Sequence, residues 1–379
     1  MNVAFDARLA LRPRTGLGRM ALNLLREYVV MDRVEELTLY LDRPPDGTLA
    51  AFLPDQIHWE GRHSDLLWAN LYLRRELLRR RPDILHFCNE KELPFGLKGV
   101  PSLITIADLI PLRYPKFGFR NKAHRLFYTM AIRSATRRTH RILTLSQQSK
   151  RDLMELLKIP EEKIAVVPLA AEAIFTTQAD PEADGAVRRG YGIEWPYILA
   201  MGALEPRKNN LRLICIYERL LKQRKLDHRL VILGGQWRNY DHRILLRSMD
   251  LEGKVVFPGL VPDDDLPALF RGASLFAFLS LYEGFGLPAL EAMACGTPVI
   301  ASNRTSVPEV MGDGGCQVDP ECDEEIEAAI CSVLENRDRA QALVKYGIER
   351  ASRFSWRRTA EQVWSLYEEM ALCRSAGKG

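Results

Sequence analysis

SLYEGFGLPALEAMACGTPVIASNRTSVP, residues 280–308, reads as a strand end, a glycine loop, a helix and the next strand in one physical unit. Just ahead of it, residues 273–279 (ASLFAFL) form a continuous apolar run of strand length. That is the pattern of a strand buried on both faces of a parallel sheet. The run gives out at Tyr282-Glu283-Gly284-Phe285-Gly286, where two glycines let the backbone come close to a bound group. Pro288 suits the first turn of a helix, because the N–H it lacks would have no intrahelical partner there. Leu287, Leu290, Met293 and Ala294 supply an inward stripe, and Gly296 with Pro298 stops the helix. VIAS is the following strand. A helix start aimed at the carboxyl end of a parallel strand presents N–H groups and a positive dipole end, together an anion site.

Two carboxylates sit eight residues apart in this unit. Glu283 lies in the loop ahead of the helix, facing whatever occupies the helix mouth, and Glu291 lies one turn inside it. A carboxylate accepts two hydrogen bonds from vicinal hydroxyls, so Glu291 suits a polyol further along the groove. An anion flanked by two polyols is the outline of a nucleotide-sugar. The bland alternative makes Glu283 a solvated loop charge and Glu291 a helix surface residue; the strand–loop–helix context favours the ligand.

At these residues the chain resembles a known family. EGFGLPALEAMACGTPV is similar to the E-x7-E signature of retaining glycosyltransferases of family 4, which have the GT-B fold. The resemblance implies an α/β protein of two facing Rossmann-like domains with parallel sheets and a cleft between them. Residues 1–178, with a returning helix at about 356–379, would be the acceptor domain, and residues 190–355 the nucleotide-sugar donor domain. Glu283 would touch the donor sugar beside its anomeric carbon, and Glu291 the ribose hydroxyls. Gly284, Phe285, Gly286 and Leu287 would line the donor.

Further matches extend the resemblance. Residues 203–209, ALEPRKN, follow the apolar strand YILAMG, and two adjacent loop cations suit a diphosphate. In the family Arg207 and Lys208 would stabilise the leaving diphosphate in place of a metal, and no cofactor is implied. Nothing resembles a D-x-D metal motif, since Asp263-Asp264-Asp265 after Pro262 reads as a helix start. After VVFPG, Leu260 and Val261 would line the nucleobase pocket. DARLALRPRTGLGRMALNLL resembles the family's first loop, with Gly16 and Gly18 beside donor and acceptor; a tight strand-to-helix turn without ligand is equally consistent. IADLIPLRYPKF keeps Asp108 as a catalytic candidate, but Ala107 stands where the family carries a histidine at the sugar end of the cleft. His124 is near in sequence, though a surface histidine is the simpler expectation.

Composition sets the frame. A chain of 379 residues exceeds one ordinary domain, and 47% hydrophobic with 27% charged residues describes a globular protein. No apolar run approaches the roughly 20 residues that span a bilayer. The start, MNVAFDARLALRPR, lacks a signal layout, so a cytoplasmic protein is expected. Seven scattered cysteines without a C-x-x-C pair suggest buried thiols in a reducing compartment. Residues 172–195, polar and weakly periodic, read as the interdomain linker.

Charge is uneven. Residues 1–180 hold 28 Lys+Arg against 21 Asp+Glu, and the remainder 25 against 28, which suggests different partners for the two halves. Residues 109–151 contain no acid but eleven cations: Arg113, Lys116, Arg120, Lys122, Arg125, Arg133, Arg137, Arg138, Arg141, Lys150 and Arg151. Tyr114, Phe117, Phe119, Phe127 and Tyr128 are interleaved. No nucleic-acid module accompanies the run, so no nucleic acid is expected. An anionic membrane surface fits better, at ~1 kcal/mol per basic residue, which would make the protein peripheral on the inner face of the cell membrane; a solvated helix face is the alternative. The expected activity is retaining transfer of a sugar, first GDP-mannose, to a polysaccharide or lipid-linked acceptor. A GT-B epimerase or phosphorylase lacks its residues here, and a silent nucleotide-sugar-binding protein is the rival that Ala107 sustains.

Overall fold

The computed structural model describes residues 1–379 except 13–14, 62–63, 90–92, 98, 120, 224–225, 236–240 and 377–379, and no side chain at 66, 116, 117 or 374–376. Arg120 and the side chains of Lys116 and Phe117, three members of the basic aromatic run, therefore lie outside the described residues. The chain divides into two compact units, Met1–Leu169 with Trp356–Gly379, and Ala170–Ser355.

The first unit is built on a parallel sheet of β1 (Val3–Asp6), β2 (Leu37–Leu41), β3 (Ile57–Trp59), β4 (Ile84–Phe87), β5 (Ser102–Thr105), β6 (Arg141–Thr144) and β7 (Ile164–Val166). Their spatial order is β3-β2-β1-β4-β5-β6-β7, so the order reverses between β1 and β4. Central strands β1, β4 and β5 are buried at every residue, the polar Asp6, His86, Ser102 and Thr105 included, so apolar residues make up most of β1 and β4 and half of β5. Helix α1 (Gly16–Val30) starts at Thr15, whose hydroxyl accepts from the Gly18 N–H at 3.0 Å. A Cβ on Gly18 would lie 2.2 Å from the Arg12 carbonyl oxygen, so only glycine lets the loop after β1 fold back over the helix start. Two ion pairs pin that loop. Arg8 grips buried Asp6 through Nε at 2.9 Å and Nη2 at 3.0 Å, and Arg12 reaches Asp42 at 2.7 Å.

One sheet face is covered by the C-terminal helix Trp356–Ala376, which packs on α1 with Trp364 edge-on to Tyr28 at 5.0 Å. His86 of β4 shares a 2.5 Å hydrogen bond with the Tyr367 hydroxyl and a 2.7 Å bond with Thr105. Burial pushes His86 down to about 3, so it stays neutral and acts as a two-ended polar clip.

A second layer packs on the same sheet. It includes a helical segment α2, running through Asp65–Leu67, a π-helical turn Trp68–Leu73 and Arg74–Arg80, and helix α3 (Lys122–Arg138). Trp68, Tyr72, Leu73 and Leu77 of α2 share one core with Tyr128, Ile132 and Ala135 of α3. Here the basic run separates into two populations. Arg113 pairs with Asp152 and Glu155, Arg138 donates to the Leu93 and Pro94 carbonyls, Arg141 to Glu162, Lys150 reaches Glu161 and Arg151 bonds Gln148. The first four tie the run to other elements, whereas Arg151 is exposed and bonds along its own helix. Lys122, Arg125, Arg133 and Arg137 stay exposed on α3. Among the described residues no helix is long and apolar enough to cross a membrane.

The second unit has a parallel sheet of β8 (Tyr197–Met201), β9 (Arg229–Leu233), β10 (Val255–Gly259), β11 (Leu275–Phe278), β12 (Val299–Ser302) and β13 (Cys316–Val318), in the order β10-β9-β8-β11-β12-β13. The order reverses between β8 and β11. Residues 172–195 are not a linker. They hold helix α4 (Pro181–Gly190), capped by Asp180, and Asp184 binds Arg271 through two bonds of 2.6 and 2.7 Å. Phe175 and Ile193 are buried beside it. The stretch looked unstructured because a charged pair, rather than an apolar stripe, docks that helix. The cysteines also differ from expectation: Cys88, Cys295 and Cys331 are buried, but Cys215 and Cys373 are exposed.

Candidate active site

In an open parallel sheet, ligands gather outside the carboxyl ends of the strands where the strand order reverses. In the second unit that point lies between β8 and β11, and the loops that leave these two strands carry Arg207, Lys208 and Glu283. The loop after β8 turns at Gly202, whose φ of +100° few other residues adopt, and a Cβ there would lie 2.4 Å from Lys208 Cγ. Gly202→Ala is therefore expected to cost about 1–3 kcal/mol of strain and to push Lys208 off its partner. Thermal melting and transfer assays check this; a variant with native melting and native turnover would disprove it.

The two loops are tied together by charge. Lys208 Nζ lies 2.7 Å from one Glu283 oxygen, and Arg207 Nη1 lies 2.9 Å from the other. Arg207 Nη1 also donates to the Tyr282 carbonyl at 2.8 Å, and the Leu281 N–H donates to the Arg207 carbonyl at 2.8 Å. Burial of Glu283 would raise its carboxyl, but Lys208 and Arg207 outweigh burial and hold it below the usual carboxylate range. Glu283 thus stays charged in a nearly dry place. Lys208 Nζ also sits 5.2 Å from the centre of the Phe278 ring, at the end of β11.

Three residues that the sequence reading passed over hold this arrangement. Glu205 takes the other edge of Arg207, at 2.9 Å to Nε and 3.3 Å to Nη2. Thr305 accepts from the Glu283 N–H at 3.1 Å, and the buried Ser306 hydroxyl lies 2.9 Å from the Glu283 carbonyl and 3.0 Å from that of Phe285. Glu205 stands inside the quoted ALEPRKN, so its charge was the available signal. Thr305 and Ser306 gave none, because their partners lie more than twenty residues away.

Gly284, Phe285 and Gly286 occupy the same buried loop, and buried Leu287 begins the helix that follows. Gly286 takes a φ of +105° directly ahead of helix α5 (Leu287–Ala294), the left-handed conformation that glycine accepts at least cost. The helix is more than one inward stripe. Ala289, Glu291 and Ala292 are buried as well, and Ala294 is only half-buried. Glu291 is accordingly no surface residue, at 1% exposed. Leu260 and Val261 follow β10 on the same carboxyl edge, where the exposed Leu260 side chain lies against Gly235 after β9. Gly16, Gly18 and Asp108 belong to the first unit. Asp108 is half-buried after β5 and accepts from the Ile110 N–H at 3.0 Å, next to Ala107. His124 is exposed, edge-on to Phe119.

Comparison with known proteins now decides the family. A model of "Glycosyltransferase Family 4" matches residues 14–172, and one of "Glycosyl transferases group 1" matches residues 191–350. The chain belongs to glycosyltransferase family 4. Together the two models span both units, and the second contains the whole Arg207–Lys208–Glu283 cluster. Escherichia coli O-antigen chain mannosyltransferase B is 29% identical over 394 residues, covering 97% of this chain and 100% of that one. The serotype-specific mannosyltransferase WbdA of Escherichia coli is 30% identical over 257 residues, covering 67% of this chain and 31% of that protein. Among solved structures, Anabaena HepE in complex with UDP has a TM-score of 0.74 at 16% identity, covering 97% of this chain and 100% of that one. Sucrose-phosphate synthase of Thermosynechococcus elongatus has a TM-score of 0.75 at 19% identity, covering 98% and 100%. These likenesses give the GT-B fold of two Rossmann-like domains. The chain is a glycosyltransferase.

Proposed function

We propose that this family 4 enzyme is a retaining mannosyltransferase that moves mannose from GDP-mannose to a polysaccharide or lipid-linked glycan acceptor. It would work at the anionic inner face of the cell membrane. The observation that carries the reading is the carboxylate of Glu283 held between two fixed cations at the switch point of the second sheet. In transfer, the bond between the anomeric carbon and the diphosphate oxygen breaks, and that oxygen leaves with the electron pair. A bond to the acceptor oxygen forms as the acceptor hydroxyl passes its proton to the departing diphosphate. Arg207 and Lys208 neutralise the charge that grows on the departing diphosphate, so the reaction draws on them rather than on a metal ion. Glu283 serves the sugar end, and Glu291 with Leu260 and Val261 the nucleoside end. The mannosyl donor rests on the relatives, several of which are named as mannosyltransferases.

A panel of nucleotide-sugars tests the reading. GDP-mannose should be turned over with release of GDP and formation of a product of unchanged anomeric configuration. Preference for a UDP-sugar would overturn the donor. Ala107 supports a second reading, a silent binding protein, for which nucleotide-sugar binds but no member of the panel is turned over.

A further inference from the structure

Left-handed backbone is unevenly distributed in this chain. Among the described residues, seven other than glycine take a positive φ. Four of them, Asp32, Arg81, Lys158 and Asp250, lie where a helix ends, a usual place for that conformation. The other three, Ala203, Asn209 and Thr305, lie in the loops around Arg207, Lys208 and Glu283. Asparagine tolerates the conformation, but Thr305, at φ +59°, is β-branched, and its Cβ crowds the backbone there. Residues held in such a state persist only where their surroundings over-determine them, and they gather at functional sites. The surroundings of Thr305 do so. The Asn303 N–H donates to the Val318 carbonyl at 2.9 Å, and the Arg304 guanidinium binds Asp319 at 2.8 Å and also Glu321. Both residues ahead of Thr305 are thereby fastened to β13 and the segment that follows it.

On its other side the loop after β12 meets the main chain of Glu283. Thr305 Oγ1 accepts from the Glu283 N–H, and the Ser306 hydroxyl reaches the Glu283 carbonyl, so both polar groups of that residue's backbone are engaged. The Arg207 loop holds the adjoining residues, through the Leu281 N–H and the Tyr282 carbonyl. The carboxylate itself is left to Arg207 and Lys208. Main chain and side chain of one glutamate are thus anchored by separate groups. We infer that Thr305 is a positioning residue for Glu283. Its left-handed backbone aims the hydroxyl at the Glu283 N–H and fixes the main chain while the carboxylate exchanges its cations for the sugar. This rests on the reading of Glu283 as the group that serves the sugar end. With the backbone clamped, the exchange is a rotation of the side chain alone, and the carboxylate arrives in one place. Without the clamp it would meet the sugar in a spread of positions, and misplacement at a reacting centre is felt in the chemical step. Glycine at 305 would relieve the backbone but offers no oxygen to the Glu283 N–H, whereas serine keeps that oxygen.

Variants of the full-length protein separate the clamp from ordinary packing, because strain and hydroxyl act in opposite directions. Thr305→Gly should melt no lower than wild type, while kcat falls about tenfold and the KM for donor stays within about twofold. Thr305→Ser should recover most of that loss. In a Glu283→Gln background, Thr305→Gly should cost less than about twofold further, because it acts through the charge already removed. A residue that merely packed the loop would lose activity together with melting temperature. That result, a glycine variant with native kcat, a serine variant as impaired as the glycine one, or a full additional loss in the Glu283→Gln background would overturn the clamp. Hydrogen exchange of the amides at 281–286 in the ligand-free protein reads the same clamp without turnover: it should quicken in Thr305→Gly and stay native in Thr305→Ser. Wild type that turns over no nucleotide-sugar refutes the proposed function, and the exchange then decides alone, an unchanged rate in Thr305→Gly overturning the clamp.

Discussion

Replacing Arg207 and Lys208 together by alanine is expected to lower transfer about a hundredfold or more, the usual loss when preorganised charge at a leaving group is removed. The two cations have distinct jobs. Arg207 is held flat between Glu205 and the Tyr282 carbonyl, so its guanidinium is fixed before any ligand arrives. Lys208 reaches the same carboxylate from the loop's next position, as a compact charge on a flexible stem. The double variant leaves Glu283 buried without these two cations, and burial then drives its carboxyl upward. Thermal melting must therefore accompany the kinetics. Arg207→Lys keeps the charge but loses the fork, and should fall between wild type and the double variant. Wild-type turnover in a folded double variant would end the assignment.

Changing the two carboxylates to glutamine should separate their roles. Glu283→Gln is expected to lower kcat even at saturating donor, because in the proposed assignment the charge it removes would face the reacting centre and act mainly on the transition state. Both Glu283 oxygens are held by cations for which a diphosphate would compete, so donor binding is expected to turn the carboxylate from the loop toward the sugar. Glu291 lies one turn into α5, where ribose hydroxyls would be bound alike in ground and transition states. Glu291→Gln should therefore raise the KM for donor more than it lowers kcat. The amide keeps the volume, which removes packing as a confounder. Equal behaviour of the two variants, or full kcat in Glu283→Gln, would refute the division of labour.

The sequence made the middle of each sheet legible and its borders obscure. β8 and β11 read as apolar runs, and β1 and β4 as mostly apolar ones, because both faces are covered. β3, β7 and β13 are three residues each, lie at sheet edges and include half-exposed positions, so neither length nor alternation marked them. Helix α4 was hidden for a related reason, since Asp184 and Arg271 dock it from positions 87 apart. At the candidate site the motif residues could be picked out of the sequence, but their contacts with one another could not. Nothing in ALEPRKN announces that Arg207 is shared by Glu205 and Glu283. The basic run gave its sign but not its geometry, because composition does not distinguish Arg138, spent on two carbonyls, from Arg133, which faces outward.

The C-terminal helix that clips to His86 has a consequence for biosynthesis. The first unit is discontinuous in the chain, whereas the second is one unbroken segment of residues 170–355. Domains made on the ribosome ordinarily complete from the amino end, and here the order is inverted. At ordinary elongation rates, roughly 10–40 s separate the emergence of Leu169 from that of Trp356. Through that interval Tyr28 and His86 wait without the aromatic cover of Trp364 and Tyr367. A truncation within the final helix is therefore expected to uncover Tyr28 and His86, in the half of the molecule that was synthesised first.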